Sequence, residues 1–332
     1  RARARPWRRD TLVCGFSTTK AVTAMVLLDA VAEGALELDA PLVRHWPEFA
    51  GAGREAITLR HVLAHRSGLP GYRRSAGLVP EDLLDPPRMV EALTREQPFW
   101  TPGEAHGYHA RTFGLLLGEL LLRATGETVG ARLRRRLTGP RDLDFHLGLP
   151  AEHHERCADL APAPAGTAIP EGSRAMVRAM ADADSITGAA FSVPAMPRGA
   201  TSSARWREIE QPAMNGHTTA SGLAGLYAAL LAGELLPAAL LEEARRVHSE
   251  GEDRVLLQTS AFGLGFMLSR AALPLGFSDA AFGHAGAGGS LAFADPDADL
   301  AFAFLMNRQR PGAVTGNETA FALVDAVRES LA

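Results

Sequence analysis

At 332 residues, 46% apolar and 22% charged, the chain has ample material for a buried core and reads as globular, in one large domain or two intertwined ones. A net charge of −4 and a pI near 6.3 give no global attraction to nucleic acid. No stretch reaches the roughly 18 uninterrupted apolar residues of a membrane span, so neither kind of partner is expected.

Arg1, Arg3, Arg5, Arg8 and Arg9 crowd the start, but Asp10-Thr11 stand where a signal peptide would place its apolar core, so no targeting signal is read. Two cysteines, Cys14 and Cys157, are too few for a disulfide framework; free thiols and a cytoplasmic location are expected. Residues 11–16 have the character of a short strand, and an apolar helix is predicted from Ser17 to a glycine cap at Gly34. Helical spacing over 57–65 is broken by Ser67-Gly68-Leu69-Pro70-Gly71-Tyr72. Helix signals return at 87–95, a turn-rich loop covers 100–108, and helices are predicted over 113–126 and 128–137, the second with a solvated basic face. Residues 142–211 carry no long periodic element. Helical patterns resume at 218–231 and 237–247. After them 262–268, 290–294 and 300–307 read as strands, and 317–331 as an amphipathic helix. This order predicts an α+β fold whose antiparallel sheet is completed by both ends of the chain. The sheet domain is expected to comprise 1–60 and 212–332, with a mostly helical subdomain over 61–211.

Chemistry concentrates first at Phe16-Ser17-Thr18-Thr19-Lys20. A serine three residues before a lysine shares a helix face with it, which sets a hydroxyl beside an amine. Lysine and arginine together number 34, and Lys20 is the only lysine. Guanidinium stays protonated, whereas a buried ammonium can release its proton. The chain keeps its one lysine where that difference counts. Such a pair needs a proton relay and donors for an oxyanion. Of three tyrosines, Tyr227 falls in a helical pattern and Tyr72 in a Gly-Pro turn, while Tyr108 follows a Pro-Gly loop that can hold a phenol over a cleft. In 283–290 small residues follow His284, which lets backbone N–H groups approach a ligand closely.

Ser17-x-x-Lys20, Tyr108 about ninety residues on, and His284-Ala285-Gly286 near the end resemble the motifs of the serine β-lactamase/penicillin-binding-protein superfamily. Within it the chain is most similar to the class C-like branch that includes the family VIII carboxylesterases, notably in 63–71 and 282–290. The resemblance implies a β-lactamase/transpeptidase-like fold, an antiparallel sheet flanked by helices beside a mostly helical subdomain. It also implies a Ser17 acyl-enzyme with Lys20 and Tyr108 as base and relay, either being able to take the first proton. The N–H groups of Ser17 and of Ala287, on the facing strand, would hold the oxyanion, and His284, Ala285, Gly286 and His109 would meet a small-molecule ester or acyl substrate. No cofactor is implied.

Three departures stand out. Tyr108-His109-Ala110 lacks the amide of the usual Tyr-x-Asn, and His284 replaces the cation of the usual Lys-Thr-Gly, so both point toward neutral esters. Only sixteen residues precede Ser17, so the family's N-terminal strands are expected to be truncated. Alternatives are an acyltransferase of the same fold, a β-lactamase or D-amino peptidase, and a non-catalytic acyl-binding module. Glu152-His153-His154-Glu155 with Cys157 has no second matched cluster, and no metal is expected there. His61 and His65 lack the intervening glutamate of a zinc helix and read as packing and capping residues.

Overall fold

The computed structural model describes residues 5–271, 273–312 and 318–331. Arg1 and Arg3 of the basic start, and Asn317 of the predicted tail helix, lie outside them. A two-residue strand, β1 (Val13–Cys14), turns through Gly15-Phe16 into helix α1 (Thr18–Ala32), whose residues are all buried from Thr18 to Ala30. A helix with no polar face has to be enclosed on every side. Short helices α2 (Leu59–Leu63) and α3 (Pro86–Leu93) precede α4 (Thr112–Thr125), which packs along α1. Helix α5 (Val129–Arg132) continues as a π-helical stretch, Leu133–Thr138, also against α1. Its basic face is partly buried rather than solvated: Arg132 is 2% exposed and its guanidinium meets Asp29 and Glu33, each at 2.6 Å. The acidic C-terminal end of α1 draws it inward.

The irregular stretch holds β2 (Phe145–His146) and helices α6 (Arg174–Met180), α7 (Ile186–Ser192) and α8 (Ala204–Glu208). Then come β3 (His217–Thr218), α9 (Ala220–Leu231) and α10 (Ala238–Arg245). The remaining strands are β4 (Ser249–Glu252), β5 (Thr259–Phe262), β6 (Met267–Leu268), β7 (Phe282–Ala285), β8 (Leu291–Asp295) and β9 (Leu300–Phe304), followed by α11 (Glu318–Leu331). They form a six-stranded antiparallel meander in sequence order. Strand β1 does not join it among the described residues; it pairs with β3 in a separate three-stranded sheet, order β1-β3-β2. The predicted strand over 262–268 is split into the end of β5, a turn and β6, because Gly265 adopts φ +83° and closes β5 onto β6.

The large sheet has two unlike faces. On β8, Ala292 and Ala294 lie opposite His284 and Phe282 of β7 and Ala303 and Ala301 of β9. Helices α1 and α9 pack on these strands, and small side chains permit the close approach. Leu291 and Phe293 project to the other face, where they cluster with Ala320 and Val324 of α11. His284 therefore shares the face of the sheet that meets α1. No helix among the described residues is long and apolar enough to cross a membrane.

Gly265 donates its N–H to Leu63 O at 2.9 Å, and a Cβ there would lie 2.2 Å from the Ala24 Cβ of α1. Gly34 has a similar φ of +75° with nothing within 4 Å. Urea unfolding should separate strain from collision: Gly34→Ala is expected to cost about 1 kcal/mol and Gly265→Ala about 2–4 kcal/mol.

Candidate active site

Ser17 opens α1 in a helical conformation (φ −68°), and its hydroxyl makes no helix-capping hydrogen bond. The residue before it, Phe16, has φ +48°, a left-handed conformation that costs a non-glycine residue about 1–2 kcal/mol. One turn on, the fully buried Lys20 Nζ lies 3.1 Å from Ser17 Oγ, 2.8 Å from Ala110 O and 3.0 Å from Ala213 O. Burial pushes the amine well below the ordinary lysine range. A neutral amine has two N–H groups and one lone pair. Three acceptors thus surround Nζ; once the amine is neutral, the two carbonyls keep its N–H groups and its lone pair faces the Ser17 hydroxyl. The segment around Ala213 is stitched along α1: Thr23 donates to Pro212 O at 2.6 Å, and Gly216 N–H donates to Thr19 Oγ1 at 2.9 Å.

Tyr108 sits in the loop before α4, with Lys20 Nζ 4.7 Å from its ring centroid. The ring stacks on Phe262 and Phe191 at 6.1 and 6.2 Å. Burial raises the phenol above its ordinary range; the Ser17 hydroxyl pulls the other way, and the Asp253 carboxylate adds to the rise. The adjoining His109, expected to meet substrate, is fully buried and turned inward. Its Nδ1–H donates to Gly107 O at 2.7 Å, and Nε2 accepts from Ser67 Oγ at 2.5 Å, so both nitrogens are engaged within the protein.

His284 stands on β7 rather than ahead of a strand, 5.9 Å from the Tyr108 ring between centroids. Its Nδ1–H donates to Ala285 O at 2.6 Å, which leaves the buried Nε2 as an acceptor without a protein partner among the described residues. Burial, then the Lys20 charge, holds its pKa down to about 3, so the imidazole carries no cation. Gly286 brings the end of β7 against the start of α1: a Cβ would lie 2.2 Å from Gly15 O. Ala287 lies in the β7–β8 turn, not on a strand, because Gly288 and Gly289 (φ +86° and +119°) reverse the chain. The backbone N–H groups of Ser17 and Ala287 have no protein acceptor among the described residues.

The fold thus gathers Ser17, Lys20, Tyr108, His284 and the 286–289 turn, while His109 faces away from the reacting groups. One residue of the site went unnoticed in the sequence, and the hydrogen bond of another was not foreseen. Asp253 accepts the Tyr108 N–H, and His65, taken for a packing or capping residue, accepts the His109 N–H. His61 does cap α2, through its Nδ1 and the Thr58 N–H. Asp253 belongs to no spaced motif, whereas His65 lies in the 63–71 segment that carries the resemblance. A cavity of about 690 Å³ between 5–11 and 155–162 is lined by none of the site groups. No cluster of three or more potential metal ligands occurs among the described residues.

A family model described as Beta-lactamase matches residues 1–326, nearly the whole chain. The chain belongs to the Beta-lactamase family. It is a serine hydrolase with the α+β β-lactamase/transpeptidase-like fold. It is 33% identical over 315 residues to the Esterase/beta-lactamase LipL of Mycobacterium tuberculosis, a match covering 91% of this chain and 71% of that protein. Among solved structures it resembles a penicillin-binding protein homolog from Caulobacter crescentus at TM-score 0.87 and 36% identity, covering 99% of this chain and 86% of the other. A family VIII carboxylesterase matches at TM-score 0.86 and 32% identity, covering 98% and 85%.

Lys20 also makes a stability prediction for this β-lactamase-family chain. Its folded pKa lies below its unfolded value, so between the two the unfolded state binds the extra proton and stability rises with pH. Above the depressed folded value and below the ordinary 10.5, the stability of the wild type relative to Lys20→Met is expected to climb with pH by up to about 1.4 kcal/mol per unit. Urea melts across that range measure it.

Proposed function

We propose that the protein hydrolyses neutral carboxylic esters through an acyl-enzyme on Ser17. The observation that carries this reading is the buried Lys20 Nζ held by two carbonyls with Ser17 Oγ as its third neighbour, so that a deprotonated amine turns its electron pair to the Ser17 hydroxyl. Lys20 takes the proton as Ser17 Oγ attacks the ester carbonyl. The new oxyanion is held by the N–H groups of Ser17 and Ala287, which meet no other acceptor. Tyr108, kept protonated by its burial, gives its proton to the departing alkoxide and is reprotonated from the Lys20 ammonium. Water then attacks the acyl carbonyl along the same path in reverse and releases the acid. An uncharged His284 stands in place of the cation that would bind a lactam carboxylate, and Ala110 lacks the amide that would help hold a lactam. The carboxylesterase structure agrees with ester cleavage, and the name of the Mycobacterium tuberculosis relative carries both esterase and β-lactamase.

Hydrolysis of a short-chain nitrophenyl ester tests the reading, with an unactivated alkyl ester and a chromogenic cephalosporin alongside. Multiple turnovers on both esters, abolished in Ser17→Ala and faint on the cephalosporin, are expected. Folded protein that is inactive on esters but fast on the cephalosporin would replace this assignment with a β-lactamase. Ester kcat/KM is expected to fall as pH drops through the depressed Lys20 value, since protonation removes the base. Nitrophenolate leaves without a proton and an alkoxide does not. Tyr108→Phe should therefore lose about 100-fold or more on the alkyl ester and much less on the nitrophenyl ester.

A further inference from the structure

Tyr108 lies in a loop with no regular secondary structure, yet the proton transfer assigned to it demands a fixed phenol. Regular backbone pairing cannot supply that rigidity here. Following each polar group from His106 to His109 shows what does. Arg254 N–H donates to His106 O at 3.2 Å, and Gly107 N–H donates to His65 O at 3.1 Å. Tyr108 N–H donates to Asp253 Oδ1 at 3.0 Å, and His109 N–H donates to His65 Nδ1 at 3.1 Å. Four consecutive residues are thus held by position 65 and the 253–254 step.

Both anchors are fully buried and themselves fixed. Asp253 Oδ1 also accepts the N–H groups of Val255 and Leu256, each at 2.8 Å, while Oδ2 accepts from Ser260 Oγ at 3.1 Å. Ser260 Oγ meets His106 Nε2 at 3.0 Å, so the carboxylate closes a loop of contacts back onto the same segment. His65 has φ +59°, a left-handed conformation that ends α2 and that His, Asn and Asp tolerate better than most residues. Its ring lies 5.0 Å from the Tyr108 ring and 4.5 Å from that of Phe262, between centroids.

We infer that Asp253 and His65 are positioning residues for Tyr108, which hold consecutive backbone N–H groups so that the phenol stays in line with Ser17 and the leaving group. The inference rests on the proton-donor role proposed for Tyr108. The same loop carries the Ala110 carbonyl that binds Lys20 Nζ, so a slipped loop would disturb the base as well.

The leaving-group comparison tests this with a readout that general destabilisation does not move. Asp253→Ala is expected to lose about 10- to 100-fold in kcat on the alkyl ester, with a several-fold smaller loss on the nitrophenyl ester and little change in KM. The conservative Asp253→Asn keeps an acceptor for all three N–H groups, and His65→Asn keeps both the acceptor and the left-handed backbone. Each should restore most of the alkyl-ester rate. If Asp253→Ala fails to fold, His65→Ala carries the comparison through the His109 N–H. Equal losses on the two esters in Asp253→Ala or His65→Ala, beside a leaving-group-dependent loss in Tyr108→Phe, would overturn the positioning role and leave the Tyr108 assignment standing. No leaving-group dependence in Tyr108→Phe itself would remove that assignment and this inference together.

Discussion

Enclosing an ammonium away from water costs several kcal/mol unless an anion accompanies it, and the groups around Lys20 are two carbonyls, a hydroxyl and an aromatic ring. The cheaper course is to shed the proton. Everything that encloses α1 contributes to that outcome: α4 and β7 pack against it, and the 212–216 segment is laced along it. The base proposed for the reaction is thus one that packing alone would produce, its neighbours being uncharged. The same packing explains why arginine elsewhere does not compete for the position, since guanidinium in such a place would stay charged or force the site open.

The electrostatics of the remaining site groups follow from that amine. His109 and His284 are each held near a pKa of about 3, and His65 well below its ordinary value, with burial the largest cause for each. Lys20, when charged, opposes protonation of all three. Imidazoles can therefore crowd Tyr108 without adding a cation. An ester needs no counter-ion for recognition, and the uncharged setting suits it. A carboxylate-bearing lactam would enter a site whose expected cation has become a neutral acceptor.

Much of this was legible in the chain. The sole lysine, its spacing from Ser17 and the largely apolar helix beneath them carry side-chain signals, and the fold places them as those signals require. The successive C-terminal strands were legible too, because Leu291 to Asp295 and Leu300 to Phe304 alternate between two faces. The partners of Lys20 were not, since Ala110 and Ala213 act through carbonyls that every residue has. Asp253 was hidden for a related reason: beside the local Val255 and Leu256 N–H groups it binds one far away in sequence, that of Tyr108, which its own neighbourhood does not announce. The packing reading of His65 agrees with its buried ring against Tyr108 and Phe262, while its bond to the His109 N–H was hidden because that backbone group is far away in sequence. Strand β4 escaped notice because Ser249-Glu250-Gly251-Glu252 is a polar sheet edge, where charge is an advantage rather than a flaw.

The distribution of small residues ties the sheet to the chemistry. For a backbone N–H of the β7–β8 turn to reach the oxygen of a substrate bound at Ser17, the end of β7 must lie against the first turn of α1. A Cβ at Gly286 would strike Gly15 O, and one at Gly283 would lie 2.1 Å from Ala292 O. On the face toward α1, β8 and β9 present Ala292, Ala294, Ala301 and Ala303. Bulk displaced from that side reappears on the other, where Phe293 and Phe302 stack at 5.3 Å in the cluster that meets α11. The aromatic face supplies cohesion so that the alanine and glycine face can supply proximity. Enlarging a side chain on the second face would thus act on catalysis through distance, by lifting β7 and its turn away from Ser17.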